Sequence, residues 1–520
     1  MFERYLNNRF LVLYLIPFLL GSLTVFSFQP FNFTLINFVI LPVFFYLIIF
    51  IKKKSKSVYR KKPYKKNLFI FGTIFGFSFY LSGIFWITHS LTFDENFKFL
   101  IPLALIIIPL FLSLFISLTT LAFGPYLNLN FSSILIFSGA LAFSDFIRAK
   151  ILTGFPWNLW AYSFSWATEI IQILNLIGLF AFNLIVITLF TFPAVLFFKI
   201  NIKKKILLIS PIFLIFFMFY IYGNHSINQN NLFLKSKIER FNIKVVSPNF
   251  DLEYGLSLNE IEERLKKLVR YSEPNKKVKT LFIWPEGPLS GYSYDEVLDL
   301  KEIISKNFSD KNFIAFGINR LDEEQGQYYN SFVIINNNFE IIQQYDKQKL
   351  VPFGEFLPLE NFLNNFGFKK ITEGHGSFLK GNKQENLVLD NLNILPMICY
   401  EVIFSGLIQK ADRNTNLIVN ISEDGWFGDT IGPHQHFAKG IFRAIEQNSF
   451  LIRSANKGIS AIINNKGEVI KKLNINEAGN IEFSVPLIKS KYKNKNDLIF
   501  FILLFTYLLI YKIFKKENEK

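Results

Sequence analysis

The chain has 520 residues, a formal net charge of +16, a single cysteine and 64 phenylalanines, and 51% of its residues are hydrophobic. One cysteine excludes an intramolecular disulfide and a thiol-rich zinc site. A soluble protein with a single core does not need so apolar a composition, which instead indicates membrane spans. The densest basic clusters lie between or just after apolar runs, so the positive charge does not indicate a nucleic-acid partner.

Eight apolar runs come close to the roughly 20 residues that a helix needs to cross a bilayer. They are predicted near Phe10–Phe28, Phe33–Ile51, Leu68–Trp86, Leu100–Phe123, Phe131–Ile147, Leu176–Phe198, Ile206–Tyr222 and Leu498–Phe514. The chain is therefore predicted to divide into four parts. These are a seven-helix membrane domain (1–222), a linker (223–240), an external catalytic domain (241–489) and a C-terminal transmembrane helix (497–515).

The lysines predict the orientation of these spans. The loop Lys52–Lys66 carries nine basic residues and no acids, and Lys199–Lys205 carries four. With a cytoplasmic N-terminus, both segments and the basic C-terminal tail fall inside, as the positive-inside rule requires. We therefore expect a multi-pass protein of a bacterial inner membrane, with the external domain in the periplasm and both termini in the cytoplasm.

Two features of the membrane half have more than one interpretation. Asp145 and Arg148 lie near the outer end of the fifth span, which favours snorkelling to the interface over a functional site. The following outside loop, 153–166, holds three of the six tryptophans. An aromatic belt at the headgroup level and a re-entrant segment under the external domain both explain that loop.

The external domain alternates between strand and helix patterns, which predicts an α/β sandwich. The strands are predicted at Phe241–Val246, Thr280–Trp284, Phe313–Gly317, Ser331–Asn336, Leu392–Ile398, Leu417–Ile421, Phe450–Ser454, Ser460–Ile463 and Ile481–Val485. The helices are predicted at Leu258–Tyr271, Tyr294–Asn307 and around Gln435–Gln447.

Three stretches place reactive side chains directly after apolar runs, where an α/β sheet presents residues to a crevice. They contain Glu286, the pair Lys347 and Glu355, and Cys399. A lone thiol at a strand end is a candidate nucleophile, and it needs a base or a cation nearby to act as a thiolate. Glu286 could be that base, and a lysine could stabilise an oxyanion.

Each of these residues also has a plain structural explanation. The cysteine could be a small buried hydrophobe, the glutamate a turn cap, and the lysines solvated surface charge. Spacing alone does not show that the three stretches meet. His434 and His436 have no third ligand at fitting spacing, so no metal is expected, and we expect them to support local loop structure.

Motifs around these residues resemble a known superfamily. Glu286 in WPEG, Lys347 ahead of LVPFGEF and Cys399 in ICYE resemble the Glu-Lys-Cys triad of the nitrilase (carbon–nitrogen hydrolase) superfamily. The longer strings KQKLVPFGEFLPLE, ICYEVIF, DGWFGDTIGPHQH and LIRSANKG, the TGFPW loop and the span layout resemble the bacterial apolipoprotein N-acyltransferases. The resemblance implies a periplasmic, nitrilase-like α-β-β-α sandwich outside a polytopic α-helical membrane domain of eight spans.

The resemblance also implies an activity. A fatty acyl chain would pass from a glycerophospholipid through a Cys399 thioester to the N-terminal amine of a diacylated apolipoprotein, as the last step of lipoprotein maturation. The alternative is a membrane-anchored amidase that uses water as acceptor. Neither needs a cofactor, and we expect a monomer.

Residue roles follow from the same motifs. Glu286 is implied as general base, Lys347 as oxyanion stabiliser and Cys399 as nucleophile. Supporting or substrate-binding roles are expected for Glu355, Tyr400, Glu401, Trp157 and Trp426. Two residues depart from the family pattern, because Gly287 replaces a commoner hydroxyl or small side chain and Glu423 replaces an asparagine. Residues 361–386 are the candidate for a mobile lid.

Overall fold

The protein is described here by a computed structural model that covers residues 8–55, 64–358, 360, 376–383, 385–408, 414–488 and 496–519, with backbone only at 496 and 515–519. Most of the predicted lid, 361–386, lies outside these residues. The chain forms two compact units. The helical unit comprises Met1–Thr88, Asn96–His225 and Lys495–Lys520, and the sandwich unit comprises His89–Glu95 and Ser226–Asn494.

The helical unit consists of apolar helices joined by short 3-10 segments. Its α-helices are Ile16–Leu23, Asn37–Lys54, Tyr64–Ile84, Ile101–Phe123, Phe131–Lys150, Thr168–Ile171, Leu174–Ile177, Leu179–Thr191, Ile202–Ser236 and Asn496–Glu519. A π-helical turn, Leu11–Leu15, precedes the first of them, and 3-10 segments include Thr24–Ser27, Phe85–Thr92, Glu95–Leu100, Trp160–Phe164 and Phe192–Phe197. The predicted linker begins inside the helix Ile202–Ser236, which continues the seventh predicted span.

Within the described residues, seven helices are long and apolar enough to cross a membrane, so the predicted number of eight was wrong by one. The missing span is the first, because Leu11–Ser27 is shorter than the others and is divided into π, α and 3-10 turns. The remaining seven coincide with the other predicted runs.

Small residues bring the helices Tyr64–Ile84 and Ile101–Phe123 into close contact. A Cβ atom at Gly72 would lie 2.8 Å from the Cα of Ser117, and one at Gly76 would lie 2.9 Å from the Cα of Ser113. The hydroxyl of Thr120 donates to the carbonyl of Leu68 across the same contact, at 2.9 Å. Helices in a bilayer associate through such small-residue surfaces, since lipid offers no hydrophobic driving force between them.

The charges predicted to snorkel are instead buried inside the helical unit. Arg148 is 2% exposed, and its guanidinium lies 2.9 Å from Asp145. The side chain of Asn183 donates to the second oxygen of Asp145 at 2.9 Å. The snorkelling prediction was therefore wrong, because these side chains have partners within the protein. In the tryptophan loop, Trp157 and Trp160 are also buried, whereas Trp166 is exposed.

The described part of the sandwich unit contains two six-stranded sheets. Their strands are β1 Arg240–Ser247, β2 Thr280–Ile283, β3 Asn312–Asp322, β4 Gln327–Ile335, β5 Ile341–Asp346, β6 Leu387–Leu389, β7 Leu392–Ile398, β8 Leu417–Glu423, β9 Phe450–Asn456, β10 Ser460–Ile463, β11 Val469–Leu473 and β12 Gly479–Pro486. The first sheet has the order β12-β1-β2-β3-β4-β5, and the second has the order β11-β10-β9-β8-β7-β6. The strands β1, β2 and β3 are parallel, and so are β7, β8 and β9.

The two sheets pack face to face with helices outside them. One apolar cluster joins residues of both sheets, among them Ile283 of β2 and Ile398 of β7. A second cluster covers the outer face of the first sheet with the helix Leu258–Ser272, which begins at a capping box formed by Ser257 and Glu260. These layers form an α-β-β-α sandwich.

The helices of this unit are Leu258–Ser272, Lys301–Asn307, Ser405–Ile408 and Gly432–Gln447, with 3-10 turns at Asp295–Leu300, Cys399–Ile403 and Asp424–Phe427. The nine predicted strands are all present. Three further strands, β5, β6 and β11, are edge strands of the two sheets, and the sequence pattern did not indicate them.

Candidate active site

Three strand ends bring the predicted triad to one edge of the sandwich. Glu286 follows β2, Lys347 directly follows β5, and Cys399 directly follows β7. Because β5 and β3 both run antiparallel to β4, β5 has the same direction as β2 and β3. The carboxyl ends of these strands therefore share an edge, which is where α/β sheets hold their reactive side chains.

Lys347 lies between two carboxylates. Its ammonium donates to Glu286 Oε1 at 3.1 Å and to Glu355 Oε1 at 2.8 Å. The side-chain amide of Asn330 donates to the same two oxygens, both at 2.8 Å. We call these four residues the carboxylate–lysine cluster.

Burial and charge act in opposite directions on the lysine, which is only 1% exposed. Burial alone would lower the pKa of Lys347, but the charges of Glu286 and Glu355 outweigh it and raise the pKa above its ordinary value. The lysine is therefore a fixed cation at neutral pH.

Each carboxylate is also held by a backbone N–H at its second oxygen. The N–H of Glu423 donates to Glu286 Oε2 at 3.1 Å, and that of Val351 donates to Glu355 Oε2 at 2.9 Å. Gly317 of β3 leaves room for the first of these groups, since a Cβ atom there would lie 2.9 Å from the Cα of Glu286. Both carboxylates are thus fixed in orientation before any substrate binds.

Cys399 opens the turn Cys399–Ile403 with a backbone φ of +46°. A left-handed conformation is uncommon for a residue with a side chain, and such strain collects at functional sites. Cys399 is buried, with 7% of the residue exposed. Burial and the charge of Glu286 raise its pKa, and the opposing effect of Lys347 is smaller, so the sulfur rests as a thiol that needs a base.

Glu401 connects the cysteine turn to the lysine segment. Its Oε1 accepts from the Tyr345 hydroxyl at 2.8 Å and from the N–H groups of Gln348 and Lys349 at 2.8 and 3.1 Å. Its Oε2 accepts from the N–H of Ile398 at 2.9 Å. Burial raises the pKa of this carboxyl, but the four donors match the ionised form. Glu401 therefore fixes the position of Lys347 relative to Cys399.

The other predicted supporting residues occupy different places. The ring of Tyr400 is half-buried and packs edge-on against Phe404 at 5.1 Å. Trp426 is half-buried and contacts Phe93, with ring centroids 5.3 Å apart. Trp157 belongs to the helical unit, where it is buried against Trp86.

Sequence reasoning missed several polar residues around Cys399. Asn330 belongs to the carboxylate–lysine cluster, and Asp424, His436 and Arg453 form a second buried group beside the cysteine backbone. His436 was expected to support local loop structure. It lies fully buried on the helix Gly432–Gln447, and its Nε2 is 3.2 Å from the carbonyl oxygen of Cys399 in the turn Cys399–Ile403. A charged Arg453 inside the apolar β9 pattern was the available signal. No set of three or more His, Cys, Asp or Glu side chains suited to a metal occurs in the part of the chain that the structure describes.

Comparisons with known proteins agree with this geometry. The carbon–nitrogen hydrolase family model matches residues 254–488, and the model of the apolipoprotein N-acyltransferase N-terminal domain matches residues 20–192. A yeast nitrilase-superfamily structure (Saccharomyces cerevisiae) aligns at 15% identity over 48% of this chain and 91% of its own, with a TM-score of 0.36. By the match of the family model, residues 254–488 of the sandwich unit are a carbon–nitrogen hydrolase domain.

Relatives that align over most of their length identify the family within the carbon–nitrogen hydrolases. The apolipoprotein N-acyltransferase of Rickettsia prowazekii is 33% identical over 90% of this chain and 95% of its own length. That of Rickettsia typhi is 33% identical over 95% and 98%, respectively. The chain belongs to the apolipoprotein N-acyltransferase family.

Proposed function

We propose that the protein transfers a fatty acyl chain from a glycerophospholipid to the N-terminal amine of an S-diacylglyceryl-cysteine apolipoprotein, through a thioester on Cys399. The observation that carries this proposal is the carboxylate–lysine cluster, whose Glu286 and Lys347 interact electrostatically with the only sulfur nucleophile of the chain. A base, a fixed cation and a protonated thiol are the three parts that acyl transfer through a thioester needs.

In the first half-reaction, Glu286 takes the thiol proton as Cys399 Sγ attacks the carbonyl carbon of the phospholipid ester. Lys347 stabilises the oxyanion of the tetrahedral intermediate. Its hydrogen bonds to two carboxylates keep it charged and in place, so little reorganisation is needed as charge develops. The carbon–oxygen bond then breaks, and Glu286 returns the proton to the leaving alkoxide of the lysophospholipid.

In the second half-reaction, the α-amine of the apolipoprotein attacks the thioester carbonyl. Glu286 accepts a proton from the amine, and Lys347 stabilises the oxyanion again. The carbon–sulfur bond then breaks, and the leaving Cys399 thiolate takes that proton from Glu286. The product carries an amide-linked third chain. One base serves both halves, because each half ends with Glu286 in its starting ionised state.

An amidase that uses water as acceptor needs the same triad, so the site alone does not separate the two activities. The match of residues 20–192 to an apolipoprotein N-acyltransferase domain supports the amine acceptor. A membrane half also suits two lipid substrates that do not leave the bilayer. This proposal includes the roles of the triad residues as base, oxyanion stabiliser and nucleophile. It also includes the supporting roles of the five further residues and the division of the chain into four segments.

The orientation and assembly are proposals as well. The lysine-rich segments Lys52–Lys66 and Lys199–Lys205 support cytoplasmic termini and a periplasmic sandwich unit in the inner membrane. We propose that the protein acts as a monomer, because both half-reactions use one set of residues from a single chain.

The test uses the full-length protein in detergent with a phospholipid labelled in its acyl chain. Wild-type protein should acquire a label that hydroxylamine releases, and Cys399→Ala should acquire none. Mass spectrometry of an added diacylated lipopeptide should show one extra amide-linked chain with the wild type only. Label retained by Cys399→Ala, or released by the wild type as free fatty acid in place of the amide, would contradict the proposal.

A further inference from the structure

A second buried polar group lies beside Cys399 and has no part in the mechanism above. It comprises Asp424, His436 and Arg453, each at most 1% exposed, and we call it the histidine cluster. Arg453 donates to both oxygens of Asp424, at 2.9 and 2.6 Å, and the hydroxyl of Ser422 donates to Oδ1 at 2.7 Å. The charge of Asp424 is therefore matched within the cluster.

The hydrogen bonds assign the tautomer of His436. Its Nε2 lies 3.2 Å from the carbonyl oxygen of Cys399, and a carbonyl only accepts, so Nε2 carries the hydrogen. Burial and the nearby Arg453 lower the pKa of His436, which keeps the ring neutral. Nδ1 lies 3.0 Å from both Arg453 Nη2 and Asp424 Oδ1. In the neutral ring Nδ1 accepts from Arg453, and the same nitrogen of Arg453 also donates to Asp424 Oδ1.

The ring itself is held firmly. It packs edge-on against Phe427, with centroids 5.2 Å apart, and it belongs to a 16-residue helix whose residues are largely buried. Gly458 leaves the space for Asp424, since a Cβ atom there would lie 2.3 Å from Oδ2. His436 thus presents its N–H to Cys399 from a rigid support.

The carbonyl that receives this bond belongs to Cys399, whose backbone is in the left-handed region. Cys399 has a φ of +46°, a conformation that is unfavourable for a residue with a side chain and persists only where surrounding contacts enforce it. A hydrogen bond to its own carbonyl fixes the following peptide plane. The direction of the thiol relative to Glu286 and Lys347 depends on that plane.

We propose that His436 is a positioning residue for the nucleophile, because its Nε2–H holds the Cys399 carbonyl and with it the left-handed backbone that directs the sulfur. The inference deepens the proposed function and rests on it for the role of Cys399. His436 does not touch the reacting atoms and does not exchange a proton with them.

Two matched variants of the full-length protein test this. The side-chain amide of His436→Gln reaches the place of Nε2 and can donate to the Cys399 carbonyl. The shorter amide of His436→Asn reaches only the place of Nδ1, so it can still face Asp424 and Arg453 but leaves that carbonyl without its donor. His434→Gln, two residues earlier on the same helix, controls for loss of an imidazole.

The first readout is the rate of iodoacetamide alkylation, which reports on Cys399 alone because the chain has no other thiol. The second is the rate of acyl-enzyme formation against phospholipid concentration, and the third is the thermal midpoint. We expect His436→Gln and His434→Gln within about threefold of wild type. His436→Asn should lose about 10- to 100-fold in kcat for acylation, with KM unchanged. Its thermal midpoint should equal that of His436→Gln.

Equal acylation rates for the Asn and Gln variants would overturn the proposal. A loss of acylation rate in both variants that is proportional to the fall in their thermal midpoints would overturn it as well. The two proposals fail separately. If the wild type forms no acyl-enzyme but alkylation still distinguishes Asn from Gln, the proposed function is wrong and the positioning role stands. If acylation occurs and is the same in both variants, the positioning role is wrong.

Discussion

A buried ionic cluster of the helical unit and one of the sandwich unit contain similar residues but differ in their balance of charge. In the helical unit, Arg148 pairs with Asp145 at 2.9 Å and also donates to the carbonyl of Phe155, while Asn183 accepts from the N–H of Ala161 at 3.0 Å. One cation balances one anion, and the guanidinium also lies over the ring of Tyr80. Two further contacts go to the backbone of the loop 153–166. We call this the Asp145–Arg148 cluster.

The carboxylate–lysine cluster of the sandwich unit is not balanced in this way. Among the described residues, Lys347 bonds to two carboxylates, Glu286 and Glu355. One carboxylate is therefore left with negative charge next to a protonated thiol. A balanced buried pair stabilises a fold when its partners are satisfied, whereas a surplus charge gives the site a group that can accept a proton.

We expect the largest effect from a substitution of Glu286, which tests whether the carboxylate–lysine cluster supplies the base. Glu286→Gln keeps the shape and an oxygen for Lys347 but cannot take the thiol proton, so acyl-enzyme formation should fall by about 10³-fold. Glu355→Gln makes the same chemical change on the other side of the lysine and should cost only about tenfold, through the position of Lys347. Rates of thioester labelling measure both.

Equal losses in the two variants would mean that the carboxylates share the proton-transfer role. A larger loss for Glu355→Gln would exchange their assignments. Thermal midpoints within a few degrees of wild type are the control, because both substitutions retain a side chain that can bond to Lys347 and Asn330.

The second prediction concerns the balanced cluster and should affect stability without affecting chemistry. Asp145→Asn leaves the buried Arg148 without its counter-charge, which should destabilise the helical unit by about 3 kcal/mol. Asp497→Asn breaks the ion pair of Lys150 and Asp497, which is about one-third exposed, and should cost less than about 1 kcal/mol. Thermal unfolding in detergent measures the difference.

In the fraction of Asp145→Asn that remains folded, the rate of Cys399 alkylation should match wild type. An altered alkylation rate at full folding would show that the Asp145–Arg148 cluster acts on the site, and the contrast between a structural and a chemical cluster would fail.

The sequence predicted the sheets better at their centres than at their edges. The apolar strands Leu392–Ile398 and Ser460–Ile463 have the predicted bounds, because a strand buried on both faces is a continuous apolar run. The strands β5 and β11 carry exposed Gln and Lys residues beside apolar ones, and their pattern resembles that of a loop. An edge strand needs pairing on one side only, so its sequence is less constrained.

The residues of the site were also only partly predictable from the sequence. Cys399, Glu286 and Lys347 could be selected because each follows an apolar strand and belongs to a recognisable motif. Asn330 lies inside β4, and Arg453 lies inside β9, so their roles depend on which neighbours pack against those strands. The number of spans was overestimated for a related reason, since composition does not reveal that the first apolar run divides into three helix types.

The smallest expected effect concerns Glu423, which would add another negative charge to the carboxylate–lysine cluster if it ionised. Burial, with a contribution from the charge of Glu286, raises the pKa of Glu423 from 4.5 to about 8, although Gly425 and Asn456 donate to it. In the unfolded chain the carboxyl loses its proton near pH 4.5. The stability contributed by the protonated form is therefore fully present below pH 4.5 and is lost as pH rises through 8.

Glu423→Gln removes this titration while keeping the shape of the neutral side chain. Between pH 5.5 and 8.5, wild type should lose about 1 kcal/mol or more relative to the variant, measured from thermal midpoints in the same detergent. Glu477→Gln, at an exposed carboxylate of the same unit, is the control and should follow wild type at both pH values. Parallel pH profiles for wild type and Glu423→Gln would mean that Glu423 is ionised throughout, so the cluster would tolerate a third carboxylate and its surplus charge would be larger than the contacts of Lys347 indicate.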